Sequence, residues 1–137
     1  MFKTMLIEDN SPFRSVFKEG LKSRFPSMAI TEAADSGEAL KEIGALPPHL
    51  IFMDIRLQGE SGLELTRRIK DDHPEITIII FTNYNFPEYR EAAIRHKADY
   101  FLSKSSVATE EIFKLVKIIL LEKGFHPNGS ESGPPTG

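Results

Sequence analysis

Five side chains in this 137-residue chain are of the kinds that chemistry needs, and each follows a short apolar run. Glu8-Asp9 comes after Met5-Leu6-Ile7, Asp54 after Leu50-Ile51-Phe52-Met53, Thr82 after Ile76 to Phe81, and Lys104 after Tyr100-Phe101-Leu102-Ser103. Apolar runs of this length, stopped by a polar residue, read as buried strands with a reactive group at the end. In an open parallel sheet, strand carboxyl ends share one rim, so topology gathers residues that are scattered in sequence. Three carboxylates in one crevice repel, each pair by about 4 kcal/mol at 4 Å and an effective dielectric of 20. Lys104 neutralises one charge, so a hard divalent cation is expected among them. Few carboxylates with open water positions suit Mg²⁺ better than a closed calcium cage. A carboxylate beside Mg²⁺, a lysine and a hydroxyl is equipped for aspartyl-phosphate chemistry, with a nucleophile, a charge shield and a hydrogen-bond donor. Taken singly, Glu8-Asp9 reads as a solvated loop or helix cap and Asp54 as a turn cap; their joint placement with Thr82 and Lys104 points to a site.

The elements that must position these groups alternate between strand and helix. After the first strand, Ser11-Pro12 supplies an N-cap and a first-turn proline, and Phe13, Val16, Phe17 and Leu21 recur at helical spacing until Phe25-Pro26. Met28 to Ala33 suits a half-exposed edge strand, and Asp35 with Glu38 forms a capping box for a helix ending near Gly44. The third strand, Leu50 to Met53, precedes a helix opened by a second box, Ser61 with Glu64, and ended by Pro74. The fourth strand, Ile76 to Phe81, precedes a helix from Pro87 to His96; the fifth, Tyr100 to Leu102, precedes one from Thr109 to Lys123-Gly124. Five such repeats predict an α/β, doubly wound, five-stranded parallel sheet of flavodoxin-like order 2-1-3-4-5 with helices on both faces. Strand 2, which brings no reactive group, falls at the edge.

Composition narrows the function classes. The chain is 40% hydrophobic and 27% charged with a net charge of −3, enough for one core but with no basic field for nucleic acid. It has no cysteine, which removes disulfides, thiolate metal sites and thiol nucleophiles. No run approaches a membrane span, and a cytoplasmic protein without membrane attachment is expected. His49, His73, His96 and His126 lack ligand spacing and read as surface residues. The apolar residues of the last helix, Ile112 to Leu121, spread further round it than one buried face needs, leaving a well-buried helix and a partner surface both open. Residues 1–124 form the expected domain; 125–137, rich in Pro, Gly and Ser, read as a flexible tail or truncated linker.

The runs Met5-Leu6-Ile7-Glu8-Asp9-Asn10, Met53-Asp54-Ile55-Arg56 with Gly62 eight residues past Asp54, Phe81-Thr82-Asn83 and Ala98-Asp99-Tyr100-Phe101-Leu102-Ser103-Lys104 resemble the receiver domain of bacterial two-component response regulators, over roughly residues 3–122. The resemblance implies Asp54 as phosphoacceptor, Glu8 and Asp9 as the Mg²⁺-holding pair, and a further metal ligand from the Arg56 backbone carbonyl. It implies Thr82 as switch hydroxyl, Lys104 as the phosphoryl-contacting lysine and Phe101 as switch aromatic. The implied partners are a sensor histidine kinase or phosphotransfer protein, and a second copy or an effector at the face of helix 4, strand 5 and helix 5. Such a chain is a switch rather than an enzyme, either a free-standing receiver or the front of a longer regulator, and its Lys104-Ser105 ending and Ala98-Asp99 lead-in resemble receivers attached to transcription factors. The rival is a Mg²⁺-dependent aspartyl-phosphate phosphatase or phosphotransferase; those enzymes carry a second Asp two residues past the nucleophile, where this chain has Arg56. Several positions depart from the family. Leu57-Gln58 replaces Met-Pro, which predicts a less rigid loop, and Ser105 replaces a proline that is often cis, which predicts a trans bond. Asn83 stands where a small residue is usual, which predicts crowding at the phosphoryl site. Phe101 stands for the commoner tyrosine, and Lys97 for the glycine that ends helix 4, which predicts a different helix end.

Overall fold

Strand and helix alternate as β1 (Lys3–Ile7), α1 (Ser11–Arg24), β2 (Ala29–Ala33), α2 (Ser36–Ala45), β3 (Leu50–Met53), α3 (Gly62–Asp72), β4 (Thr77–Thr82), α4 (Pro87–Arg95), β5 (Tyr100–Ser103) and α5 (Thr109–Glu122). The structure, a computed structural model, describes residues 1–127 and 130. All strand pairs are parallel, in the order β2-β1-β3-β4-β5. The predicted topology is therefore observed, and β2 is the half-exposed edge.

Period-two alternation divides the core between the two sheet faces. Met5, Ile7, Ile51, Met53, Ile78 and Ile80 pack with Ala39, Leu65, Ile69 and Ala93, so α2, α3 and α4 cover one face. Leu6, Phe52, Ile79 and Phe81 pack with Leu21, Val116 and Ile119 under α1 and α5 on the other. Each such large side chain, removed from water, contributes about 1.5–3 kcal/mol. At the amino rim the Lys70 ammonium bridges Asp99 (2.7 Å) and the Ile76 carbonyl (2.7 Å), joining α3 to the ends of β4 and β5.

Local signals mostly hold, with informative differences. The cap of α1 is Asn10 rather than Ser11: the Asn10 backbone is extended and its Oδ1 accepts from Phe13 N (3.0 Å). Asp35 caps α2 and Glu38 reaches back to Ala34 N, whereas at α3 Ser61 caps and Glu64 is engaged by Arg67. Helix α4 ends in a turn of the kind glycine favours, although Lys97 stands there. Lys97 takes the left-handed conformation (φ 67°), with Lys97 N donating to Ile94 O and Ala98 N to Ala93 O, because the backbone carbonyls at the helix end require that turn whichever side chain is there. No cis peptide occurs among the described residues, so Lys104-Ser105 is trans as expected. The loop with Leu57-Gln58 carries an isolated backbone bridge between Gln58 and Asp35.

Two residues lie deeper than their sequence surroundings suggest. His49 stacks on Phe2 (5.0 Å between centroids), and its Nδ1 accepts from Lys3 N, so it is half-buried rather than a fully exposed surface residue. Phe125 packs edge-on to both rings, and its N–H closes α5 by donating to Leu120 O, so the packed chain extends one residue past Gly124. Along α5, Ile112, Val116, Ile119 and Leu120 are buried, while Ile118 and Leu121 are exposed. Residues 128–129 and 131–137 of the expected tail lie outside the described residues.

Candidate functional site

Parallel register carries the reactive groups to one rim. Ile7 pairs with Met53 and Met53 with Ile80, and the ladder runs one residue further: Asp54 N donates to Ile7 O (3.0 Å) and Glu8 N to Ala33 O (3.0 Å). On the other side Thr82 pairs with Ser103, and Lys104 N donates to Thr82 O (2.9 Å). Glu8, Asp54, Thr82 and Lys104 are thus fixed by backbone bonds at neighbouring strand ends. Asp9 follows at the exposed start of the β1–α1 loop.

The side chains converge. Lys104 Nζ donates to Glu8 Oε1 at 3.0 Å and to Asp54 Oδ2 at 3.3 Å, and Ile55 N donates to Asp54 Oδ1 at 2.7 Å. One carboxylate oxygen each from Glu8, Asp9 and Asp54 lie within 4.8 Å of one another. Hard oxygen donors at this spacing, two buried and one open to water, suit a small divalent cation that keeps some of its waters. They face a crevice of about 640 Å³ whose rim includes Asn10, Arg56, Gln58, Asn83 and Tyr84. Asn83 is exposed on that rim, and the crevice is open in front of it. The Arg56 guanidinium lies over the Tyr84 ring, 4.4 Å from its centroid.

Burial and crowding set the charges. Burial, reinforced by the hydrogen bond and negative charge of Asp54, pushes the Glu8 carboxyl up to about 8 despite Lys104. Burial also acts to raise Asp54, but hydrogen bonds from Glu8 and Thr82 and the Lys104 charge outweigh it and hold Asp54 below the usual carboxylate range. At neutral pH the proton belongs to Glu8 and the anion is Asp54.

Phe101 is the predicted residue that stands apart. It lies on β5 opposite Ile80, half-buried, with the Arg90 guanidinium 4.6 Å from its ring centroid and Arg90 Nε donating to Asn85 Oδ1 (2.6 Å). Sequence reasoning missed three supports. Arg14 donates to the Glu8 carbonyl and to Glu32 Oε1 (3.0 Å), fixing the β1–α1 loop. Phe13 lies against Lys104. Gly62 approaches so closely that an added Cβ would collide with the Asp54 carbonyl. Arg14 and Phe13 look like ordinary polar-face and apolar-face residues of a helix; only Gly62, by its fixed distance from Asp54, left a trace.

A parallel sheet of this order, with carboxylates and a lysine gathered at its carboxyl rim, defines a receiver-type signalling domain. The response regulator receiver domain family matches residues 4–117, and the chain belongs to that family, whose members act in two-component systems. It is 39% identical over 106 residues to the nitrogen assimilation regulatory protein NtrX of Azorhizobium caulinodans, covering 76% of this chain and 23% of that protein. It is 31% identical over 142 residues to the transcriptional regulatory protein HptR of Staphylococcus aureus, covering 98% of this chain and 53% of that one. The chain therefore spans about a quarter to a half of the length of these relatives. The CheY-like receiver domain of Methanospirillum hungatei shares the fold, with a TM-score of 0.82 at 24% identity over 90% of this chain and 96% of that one.

Proposed function

We propose that this chain is a phosphorylation-driven switch in which Asp54 accepts a phosphoryl group from a sensor histidine kinase or phosphotransfer protein. The observation that carries the reading is Lys104, bonded at once to Glu8 and Asp54 at the floor of an open crevice. Of Glu8 and Asp54, the two carboxyls on Lys104, Asp54 is the one held ionised and so the nucleophile: one carboxylate oxygen attacks phosphorus, the bond to the donor breaks, and an acyl phosphate forms. Lys104 offsets charge on the phosphoryl oxygens, and the Ile55 N–H holds the other Asp54 oxygen. Glu8, Asp9, Asp54 and the Arg56 backbone carbonyl would hold Mg²⁺, which supplies charge neutralisation at the transferring group.

Thr82 and Phe101 relay the change to the face of α4, β5 and α5, where a second copy or an effector binds. The absence of a second Asp at position 56 favours a switch over an enzyme acting on external substrates. NtrX and HptR, named as regulators, support attachment to an output region that controls transcription. Acetyl phosphate with Mg²⁺ should add one phosphoryl group by intact mass, and Asp54→Asn should take up none. Equal labelling of that variant would remove Asp54 from its role.

A further inference from the structure

We propose that Phe13 is a positioning residue for Lys104, holding its ammonium between Glu8 and Asp54; the inference rests on the phosphoacceptor reading above. An ammonium has three donors, and Lys104 spends two on the carboxylates. On a further side lies the Phe13 ring, with Nζ 4.1 Å from its centroid, well within cation–π range; the Phe81 ring is more distant at 5.8 Å. The Lys104 side chain is only 8% exposed, so the attraction acts with little screening.

Phe13 is itself oriented. Asn10 caps its N–H at 3.0 Å, Phe17 stacks on it at 6.1 Å and 14°, and Phe81 meets it at 5.8 Å. The ring also separates the acidic crevice from a second cleft of about 300 Å³ between α1 and α5, which Lys104, Gly20, Val107 and Phe113 help line. Without the ring, the ammonium loses its contact on that side and is freer to leave the carboxylates. An aliphatic side chain would fill the space but offer no negative face.

Phe13→Leu should slow phosphorylation by acetyl phosphate about 2- to 30-fold, which corresponds to ~0.5–2 kcal/mol. Phe13→Tyr should restore most of it. In a Lys104→Met background the same change should have no further effect, whereas equal slowing in both backgrounds would overturn the proposal. In metal-free protein the Lys104 ε-methylene protons should resonate upfield of an ordinary lysine because they lie over the ring, and Phe13→Leu should abolish that shift. Should Phe13→Leu fail to fold, ring-fluorinated phenylalanines at position 13 keep the shape while weakening the negative face. The rate should fall with each added fluorine, and a flat series would sink the idea. If the wild type takes up no phosphoryl group, the phosphoacceptor reading falls, and the ε-methylene shifts alone decide whether Phe13 positions Lys104.

Discussion

Glu8 and Asp54 flank one ammonium, and in the metal-free fold only Asp54 bears its charge at neutral pH. A buried carboxyl with a folded-state pKa near 8 keeps a proton that the unfolded chain has already lost. Its contribution to stability is full below the ordinary glutamate value and disappears as pH rises through about 8. Asp54 has the opposite sign and a separate window: its lowered pKa stabilises the fold above the ordinary aspartate value and is lost as pH falls through the shifted one. Metal-free protein should therefore lose urea resistance between pH 5 and about 8, and Glu8→Gln should flatten that loss. A wild-type profile flat over that range would show that Glu8 is not protonated. Mg²⁺ must displace the proton, so its affinity by calorimetry should climb with pH up to about 8, approaching about tenfold per unit. Replacing both Glu8 and Asp9 by amides should weaken Mg²⁺ more than about tenfold, at least ~1.4 kcal/mol, and should raise metal-free stability at pH 8 and above. At this scale the acids, the lysine and Thr82 were legible because each ends an apolar run. Phe13 and Arg14 were not, because their contacts reach residues far along the chain that no local spacing reveals.

Helix and strand ends set the precision of the site, and two of them can be tested. Lys97 closes α4 with φ 67°, a conformation that disfavours any residue with a Cβ. Lys97→Gly should remove that strain and raise stability by up to about 1 kcal/mol, seen as a higher urea midpoint at unchanged slope. A lower midpoint would mean that the lysine side chain holds the α4–β5 turn. Gly62, at the first position of α3, lies against the Asp54 carbonyl, and its N–H donates to Ile55 O (2.8 Å). Gly62→Ala should cost about 1–3 kcal/mol by overpacking and slow phosphorylation, because the group displaced is the backbone that presents Asp54. The elements themselves were readable from hydrophobic period and capping residues; their exact ends were not. Ser11 offered a hydroxyl for the α1 cap, but the neighbouring Asn10 took the position, and sequence cannot choose between adjacent acceptors. His49, which follows Pro47-Pro48, and Phe125, which precedes His126-Pro127, are remote in sequence and meet only after β1 and α5 are placed.

Across the molecule, the proposed switch would pass a signal from Asp54 to a face formed by α4, β5 and α5, and one bond is too weak to carry it. Thr82 is buried at the end of β4, where its Oγ1 accepts from Tyr84 N (3.3 Å). One bond from its hydroxyl to a phosphoryl oxygen yields at most about 1.5–3 kcal/mol, while moving an equilibrium from 1:99 to 99:1 takes about 5.5 kcal/mol. In that reading Lys104, Mg²⁺ where it is held, and the burial of Phe101 would supply the remainder. The resting position of Phe101 is held from outside by Arg90, which is anchored on Asn85, so inward movement of the ring has to break a cation–π contact worth about 0.5–1 kcal/mol at an exposed site. Two opposite expectations follow. Thr82→Ala should be phosphorylated yet respond weakly, whereas Arg90→Ala should respond more readily, its amide shifts lying part of the way to the activated spectrum before any phosphoryl mimic is added. Amide spectra with and without beryllofluoride measure both variants against wild type. Shifts confined to the neighbourhood of Asp54, with residues 86–121 silent, would show that the signal leaves by another face; wild-type and Arg90→Ala spectra that coincide in the resting state would show that Arg90 does not restrain the ring.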